Sequence, residues 1–167
     1  MARKVFDSFH YDRDSWRVQQ VKNMGVVEGQ PLLSSNDWEA VKKQGDVAIK
    51  AWIEEQMKGK SCVVVLIGYE TAGRKWVNYE LTKGWGDGKG LVGVHIHNLK
   101  DESSRQDPKG ANPFSGFTLC DGAKRLADVA KTYDPPYSDS NSVYGHIKAN
   151  LASWVEEAIT IRTGFRC

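Results

Sequence analysis

A tryptophan and a glutamate, Trp76 and Glu80, are the two residues whose types and spacing best suit a chemical role. They lie in the octapeptide 74–81, which follows the apolar run 62–67 and a short turn. Residues four apart share one face of a helix, and an adjoining apolar stripe can lie on a sheet. An aromatic plane beside a carboxylate suits a nucleotide or sugar ligand, and a reaction that develops positive charge at an anomeric carbon. The alternative is that Glu80 is a solvated residue of an amphipathic helix.

A second polar segment, 6–11, belongs to a predicted first strand. Ser8 and His10 either form part of the wall of the same site or satisfy backbone groups of the following loop. Asp7 would lie in a strand that is buried on both faces, which is costly for an unpaired carboxylate. Asp7 also lies too early in its strand for the phospho-acceptor of a phosphorelay receiver.

Two further motifs indicate ordinary structural roles. The glycine-rich stretch 84–90 precedes a strand instead of opening a helix, so it predicts a helix exit and a turn more than a phosphate-binding loop. His95 and His97 would point to the same side of a strand, but further metal ligands are not evident. We therefore expect neither a metal nor a bound cofactor.

The composition is that of an ordinary soluble protein, with 167 residues, 40% hydrophobic, 26% charged and a net charge of +2. This balance gives no indication of nucleic acid or of an anionic membrane as a partner. We find no signal-peptide or membrane-spanning pattern. Of the three cysteines, Cys62 and Cys120 flank apolar strands and are expected to be buried, reduced thiols. Together these features favour the cytoplasm.

Strand and helix patterns alternate along the chain. The predicted strands are 4–9, 25–28, 62–67, 91–97 and 117–120, the last at an edge. The predicted helices start near Asp14 and Asp46, cover 72–83 and 123–130, and end with an apolar-faced helix at 142–161. The alternation predicts one α/β domain, 1–167, with a mostly parallel five-stranded sheet and helices on both faces. An irregular loop is expected near 100–116, and ligands should bind outside the carboxyl ends of the strands.

The two polar segments resemble motifs of a known family. The segment 6–11, Phe-Asp-Ser-Phe-His-Tyr, resembles the first-strand box of TIR (Toll/interleukin-1 receptor) domains, and Trp76 through Leu81 resembles their third-helix box. With the segments 110–114 and 133–136, nearly the whole chain is similar to the TIR-like proteins of bacterial Thoeris antiphage defence.

This resemblance implies a flavodoxin-like fold and a specific reaction. NAD would be the substrate, cleaved at the nicotinamide–ribose bond as by an NAD nucleosidase or ADP-ribosyl cyclase, and a cyclic ADP-ribose isomer would activate a separate effector. Glu80 would be the essential, ionised carboxylate. The residues expected to bind substrate are Phe6, Ser8, Phe9, His10, Tyr69 and Trp76.

Two other interpretations stay open at this stage. One is a non-catalytic TIR-type interaction module, whose exposed aromatic side chains recruit partners. The other is a sensor that becomes active only after assembly, for example as a homo-oligomer. Many TIR domains are assembly modules, so the fold does not by itself imply catalysis.

Overall fold

The computed structural model describes residues 2–167 and has a parallel four-stranded sheet at its centre. In chain order the strands are β1 (Val5–Ser8), β2 (Cys62–Ile67), β3 (Gly90–His95), β4 (Thr118–Leu119), β5 (Lys124–Arg125) and β6 (Thr132–Tyr133). The sheet order is β1–β2–β3–β6, whereas β4 and β5 form a separate antiparallel pair. The prediction that 62–67 is an interior strand is therefore confirmed.

Helices cover both faces of the sheet. They are α1 (Tyr11–Asn23), α2 (Ser35–Lys43), α3 (Asp46–Met57), α4 (Lys75–Gly86), α5 (Leu126–Val129) and α6 (Ser140–Gly164), with a 3₁₀ turn at Pro113–Gly116. Successive side chains of a strand point to opposite faces, so Val64 and Leu66 pack with α1 and α6, while Val63 and Val65 pack with α3, α4 and α5. This arrangement confirms the predicted α/β architecture.

The prediction of a fifth strand in this sheet is wrong. Residues 25–28 contribute only a single bridge, from Glu28 to Lys4, and segment 117–120 belongs to the short antiparallel pair. The fourth sheet strand is instead β6, which pairs with β3 at two positions. A two-residue strand is too short to produce an alternating pattern that can be recognised in the sequence.

The cysteine prediction is only half correct. Cys62 is a buried free thiol, as expected, but Cys120 forms a disulfide with Cys167, with 5.6 Å between their Cα atoms. The segment after α6 turns back to the β4–β5 pair, where Phe165 packs edge-on against Trp85. The thiols thus give no support to the cytoplasmic location, which stays a prediction. Along the described residues, 2–167, no helix combines the length and the apolar character needed to cross a bilayer.

Asp14 is inside the first turn of α1 and does not cap it. It is fully buried and accepts a hydrogen bond of 3.0 Å from Arg17, which also pairs with Asp107 of the predicted 100–116 loop. Arg17 further donates to the carbonyl oxygens of Leu99 and Arg105. Charge pairing therefore anchors this irregular loop to α1.

The buried face of α6 provides a test of the fold. Trp154 stacks on Tyr133 of β6 with 4.4 Å between the ring centroids, and it is 9% exposed. Because the substitution would leave a cavity in the core, we expect Trp154→Ala to lower the free energy of unfolding by about 3–5 kcal/mol in urea titrations. Trp16→Ala, at an exposed position, is the control and should cost under about 1 kcal/mol. Equal, small effects for both variants would contradict the packing described.

Candidate functional site

A cavity of about 290 Å³ lies beside the carboxyl end of β1. It is lined by side chains from β1, the start of α1, the segment 30–33, α2, α3 and the start of α4. Five of the seven predicted site residues line it: Phe6, Phe9, His10, Trp76 and Glu80. The position agrees with the rule that ligands of parallel sheets bind outside the carboxyl ends of strands.

Glu80 and Ser8 form the innermost polar contact of the site. The Ser8 hydroxyl donates a hydrogen bond of 2.6 Å to Oε1 of Glu80. Ser8 is fully buried and Glu80 is 7% exposed. The contact joins β1 to α4, where Val77 and Leu81 are buried in the core on the same helix. Ser8 thus belongs to the site through Glu80 and is not itself among the lining residues.

The environment of Glu80 bears on the expectation that this carboxyl is ionised. Burial raises the pKa of the Glu80 carboxyl to about 8, and the hydrogen bond from Ser8 opposes that shift only in part. A group with this pKa is about one-tenth ionised at pH 7. Before substrate binds, burial therefore favours the neutral form of Glu80 far more than in an exposed glutamate.

His10 is the N-cap residue of α1, and its imidazole contributes to the cavity wall. Burial lowers its pKa, and the nearby Arg74 lowers it further. Its Nδ1 atom is buried, and the protein supplies it with no hydrogen-bond partner within residues 2–167. A neutral imidazole with an unsatisfied nitrogen is suited to a polar contact with a ligand.

Asp7 and Lys22 build another part of the wall. Their charges pair at 2.7 Å, although burial still raises the pKa of Asp7. Gln30 exchanges two hydrogen bonds of 2.8 Å with the backbone of Asp7, which holds the segment 30–33 in place. A β-carbon at Gly29 would overlap the Asp7 carboxylate, so this close approach needs a glycine. The buried Asp7 carboxylate is thus paired.

The side of the cavity away from the sheet is aromatic and was not predicted. Trp38 of α2 lies 5.5 Å from Tyr11 and 6.3 Å from Trp52, measured between ring centroids. All three side chains line the cavity. Tyr11 lies in the predicted site segment 6–11, whereas the only sequence signal for Trp38 and Trp52 is the high number of tryptophans, six in the chain.

Basic side chains surround this aromatic wall. Lys42, Arg74 and Lys75 line the cavity together with Lys22, against three acidic residues, Asp7, Asp12 and Glu80. Each of these four basic groups is paired with a carboxylate: Lys22 with Asp7, Lys42 with Glu39, Arg74 with Glu70 and Lys75 with Asp46. Cationic groups around a cavity are suited to an anionic ligand, such as a phosphate ester, which would compete with these carboxylates.

Tyr69 does not line this cavity. Its ring is 46% exposed and lies against the guanidinium of Arg13, 5.3 Å from the ring centroid. His95 and His97 are both buried, with 5.7 Å between ring centroids. Within residues 2–167, no group of three or more His, Cys, Asp or Glu side chains is placed to hold a metal ion.

Comparison with known proteins identifies relatives of the whole site region. Residues 6–101 match the family described as "Thoeris protein ThsB, TIR-like domain". A protein of Bacillus cereus (strain MSX-D12), "Putative cyclic ADP-D-ribose synthase ThsB1", is 36% identical over 133 residues, covering 75% of this chain and 69% of that protein. The family match includes both segments that contribute Ser8 and Glu80.

The raised pKa of Glu80 predicts a pH-dependent effect of its removal. The pKa of Glu80 is about 8 in the folded protein, above its ordinary value of 4.5, so the carboxyl group does not destabilise the fold at low pH, where it is neutral in both the folded and the unfolded state. As the pH rises from about 4.5 through about 8, the unfolded state loses this proton more readily than the folded state, and the free energy of unfolding decreases. Glu80→Gln should therefore become more stable than the wild type, by a few kcal/mol, as the pH increases from 5 to 9.

Urea titrations at pH 5, 7 and 9 measure this difference. The exposed Glu102→Gln is the matched control, for which the difference from the wild type should stay constant. A constant difference for Glu80→Gln as well would show that Glu80 titrates normally.

Proposed function

Since the chain belongs to the family of Thoeris ThsB proteins with a TIR-like domain, we propose that it is an NAD-consuming enzyme of antiphage defence. It would cleave the nicotinamide–ribose bond of NAD and produce a cyclic ADP-ribose-type nucleotide. The name of the Bacillus cereus relative supports this product class. NAD would be a substrate here and not a bound cofactor.

The observation that carries the proposal is the placement of Glu80. A carboxyl group is held by Ser8 in a buried position, yet it faces a cavity that also contains Trp76, Phe9 and His10. A purely structural glutamate on α4 would gain nothing from such burial, because removing a carboxylate from water is costly. Strongly perturbed carboxyl groups in cavities are typical of catalytic sites.

The chemistry requires Glu80 in its ionised form. The nicotinamide ring of NAD is cationic, and a cation beside a buried carboxyl lowers its pKa and favours the carboxylate. When the bond between ribose C1′ and the ring nitrogen breaks, nicotinamide leaves with the electron pair and positive charge develops on the sugar. The Glu80 carboxylate would stabilise that charge, while the Ser8 hydroxyl fixes its orientation.

The remaining side chains would position the sugar and the leaving group. Trp76 would shape the ribose pocket, with Phe6 and Phe9 as apolar walls. His10 offers an unpaired imidazole nitrogen for a polar contact. Tyr69, predicted to bind substrate, would need to act from outside the described cavity.

The product would act as a diffusible signal that activates a separate effector, and the enzyme would work in the cytoplasm. A trigger or the formation of a homo-oligomer would be needed if the isolated protein is inactive.

The second candidate function is a non-catalytic TIR-type module, and the exposed aromatic residues Trp16 and Tyr137 are the features that favour it. Nicotinamide release from NAD, with and without phage lysate, distinguishes the two functions.

Removing the charge of Glu80 tests the catalytic assignment. Glu80→Gln keeps the size and hydrogen-bonding capacity of the side chain, so the variant should fold and still bind nucleotide. We expect turnover to fall by about a hundredfold or more, which corresponds to about 2.7 kcal/mol of transition-state stabilisation. Nicotinamide release and product chromatography measure this loss. Equal activity of wild type and variant would remove Glu80 from the mechanism.

The pH profile tests how the site controls Glu80. Because the free protein must ionise this carboxyl, kcat/KM should rise about tenfold per pH unit below its pKa of about 8 and then level off. The hydrogen bond from Ser8 lowers that pKa, so Ser8→Ala should move the acidic limb to higher pH. The exposed Ser103→Ala is the control. A profile that Ser8→Ala leaves in place would rule out this role for the hydroxyl.

A further inference from the structure

The helix α2 contributes to the cavity, and it contacts the core through the half-buried Val41. None of its residues is buried, and its N-terminus is capped by Ser34, whose hydroxyl accepts from the amide of Asp37 at 3.1 Å. Trp38 is nevertheless placed toward the cavity, against Tyr11 and Trp52. Val41 already makes a contact between this helix and the core, so the position of Trp38 needs an explanation other than core packing.

The geometry around Trp38 suits a planar, anionic ligand. Its ring is tilted by 32° from that of Tyr11 and meets Trp52 edge-on at 62°, so its partners do not stack face to face on it. The Lys42 ammonium lies 5.7 Å from the centre of the Trp38 ring and is paired with Glu39 at 2.8 Å, a carboxylate that a bound phosphate would replace. Aromatic rings beside basic groups are the usual platform for a nucleobase next to its phosphates.

Trp38 and Glu80 line the same cavity, although they come from different parts of the fold. Glu80 is tied to the end of β1, whereas α2 lies outside the sheet and contacts α3. The cavity of about 290 Å³ is at the lower end of the range for ligand sites. A dinucleotide bound at both places would therefore have its two halves close together.

We propose that Trp38, with Tyr11 and Lys42, holds the second nucleobase of the dinucleotide and so determines whether the sugar is attacked from within the same molecule or by water. This inference rests on the proposed function and adds a product-determining subsite to it. Holding the two halves of the dinucleotide together raises the effective concentration of the attacking group at the sugar. The rate of the intramolecular reaction therefore increases relative to that of hydrolysis.

The two outcomes differ only in the group that attacks. In both, the C1′–nitrogen bond breaks and nicotinamide leaves with the bonding electrons. A nitrogen or hydroxyl group of the adenosine half then donates an electron pair to C1′, and one proton is released, which gives a cyclic product. If water attacks C1′ instead, linear ADP-ribose and one proton are formed.

Binding of ADP-ribose, which contains the second base and the diphosphate, tests the subsite without turnover. We expect Trp38→Ala to weaken ADP-ribose binding about tenfold, the effect of losing one stacked base, while Trp38→Phe restores most of the affinity. Titration followed by NMR measures this. Trp16→Ala, which removes an exposed tryptophan outside the cavity, is the matched control and should bind as the wild type does.

Product chromatography with NAD tests the consequence for the reaction. The ratio of cyclic product to linear ADP-ribose should fall about tenfold in Trp38→Ala and recover in Trp38→Phe. An unchanged ratio, or ADP-ribose affinity equal to that of the wild type, would overturn the subsite. A wild type that releases no nicotinamide from NAD, either with or without phage lysate, would instead refute the proposed function, and the ADP-ribose titration would still decide the subsite.

Discussion

The hydrogen bond between Ser8 and Glu80 joins the carboxyl end of β1 to the middle of α4 and orients the carboxyl group that faces the cavity. Glu80 has little freedom to move, because Val77 and Leu81 fix the same helix in the core. Its carboxyl group is therefore held in a buried environment, where a charge is costly and an approaching cation has a large effect. The low polarity that favours the neutral form of Glu80 in the free protein would also make its carboxylate a strong partner for a cationic substrate.

A second buried network, made of ion pairs, fixes the first turns of α1. Arg17 is fully buried between Asp14 and Asp107, and burial raises the pKa of Asp14 to about 6. A β-carbon at Gly68 would overlap the Asp14 carboxylate, so the turn after β2 can approach this network only with a glycine. These contacts hold α1 against the sheet, and its N-cap residue His10 consequently reaches the cavity. Ion pairs thus hold the site in place beyond the ends of the strands, where the backbone hydrogen bonds of the sheet have stopped.

The predictable parts of the structure are those that repeat a pattern locally. Glu80 could be placed because helical spacing and a preceding apolar strand define its position. Trp38 could not, since α2 has only nine residues and only Val41 accompanies Trp38 as a large apolar residue, which is too little to indicate what the helix contacts. The strand Thr132–Tyr133 is too short for a periodic signal. The disulfide between Cys120 and Cys167 depends on where a 25-residue helix delivers the last residues, which local sequence does not specify.

The two sides of the cavity differ in chemistry, and this difference is what an intramolecular reaction would need. One side, around Glu80, is built on the sheet and is rigid, buried and nearly neutral in the free protein. The other, around Trp38 and Lys42, is aromatic and basic and lies on a helix without fully buried residues. A substrate held at both would have its reacting carbon fixed by the first side and its attacking group brought near by the second. Rigid positioning of the carbon would by itself favour cleavage of the bond to nicotinamide. Whether water or a group of the same molecule then attacks that carbon would depend on how the aromatic side holds the rest of the substrate.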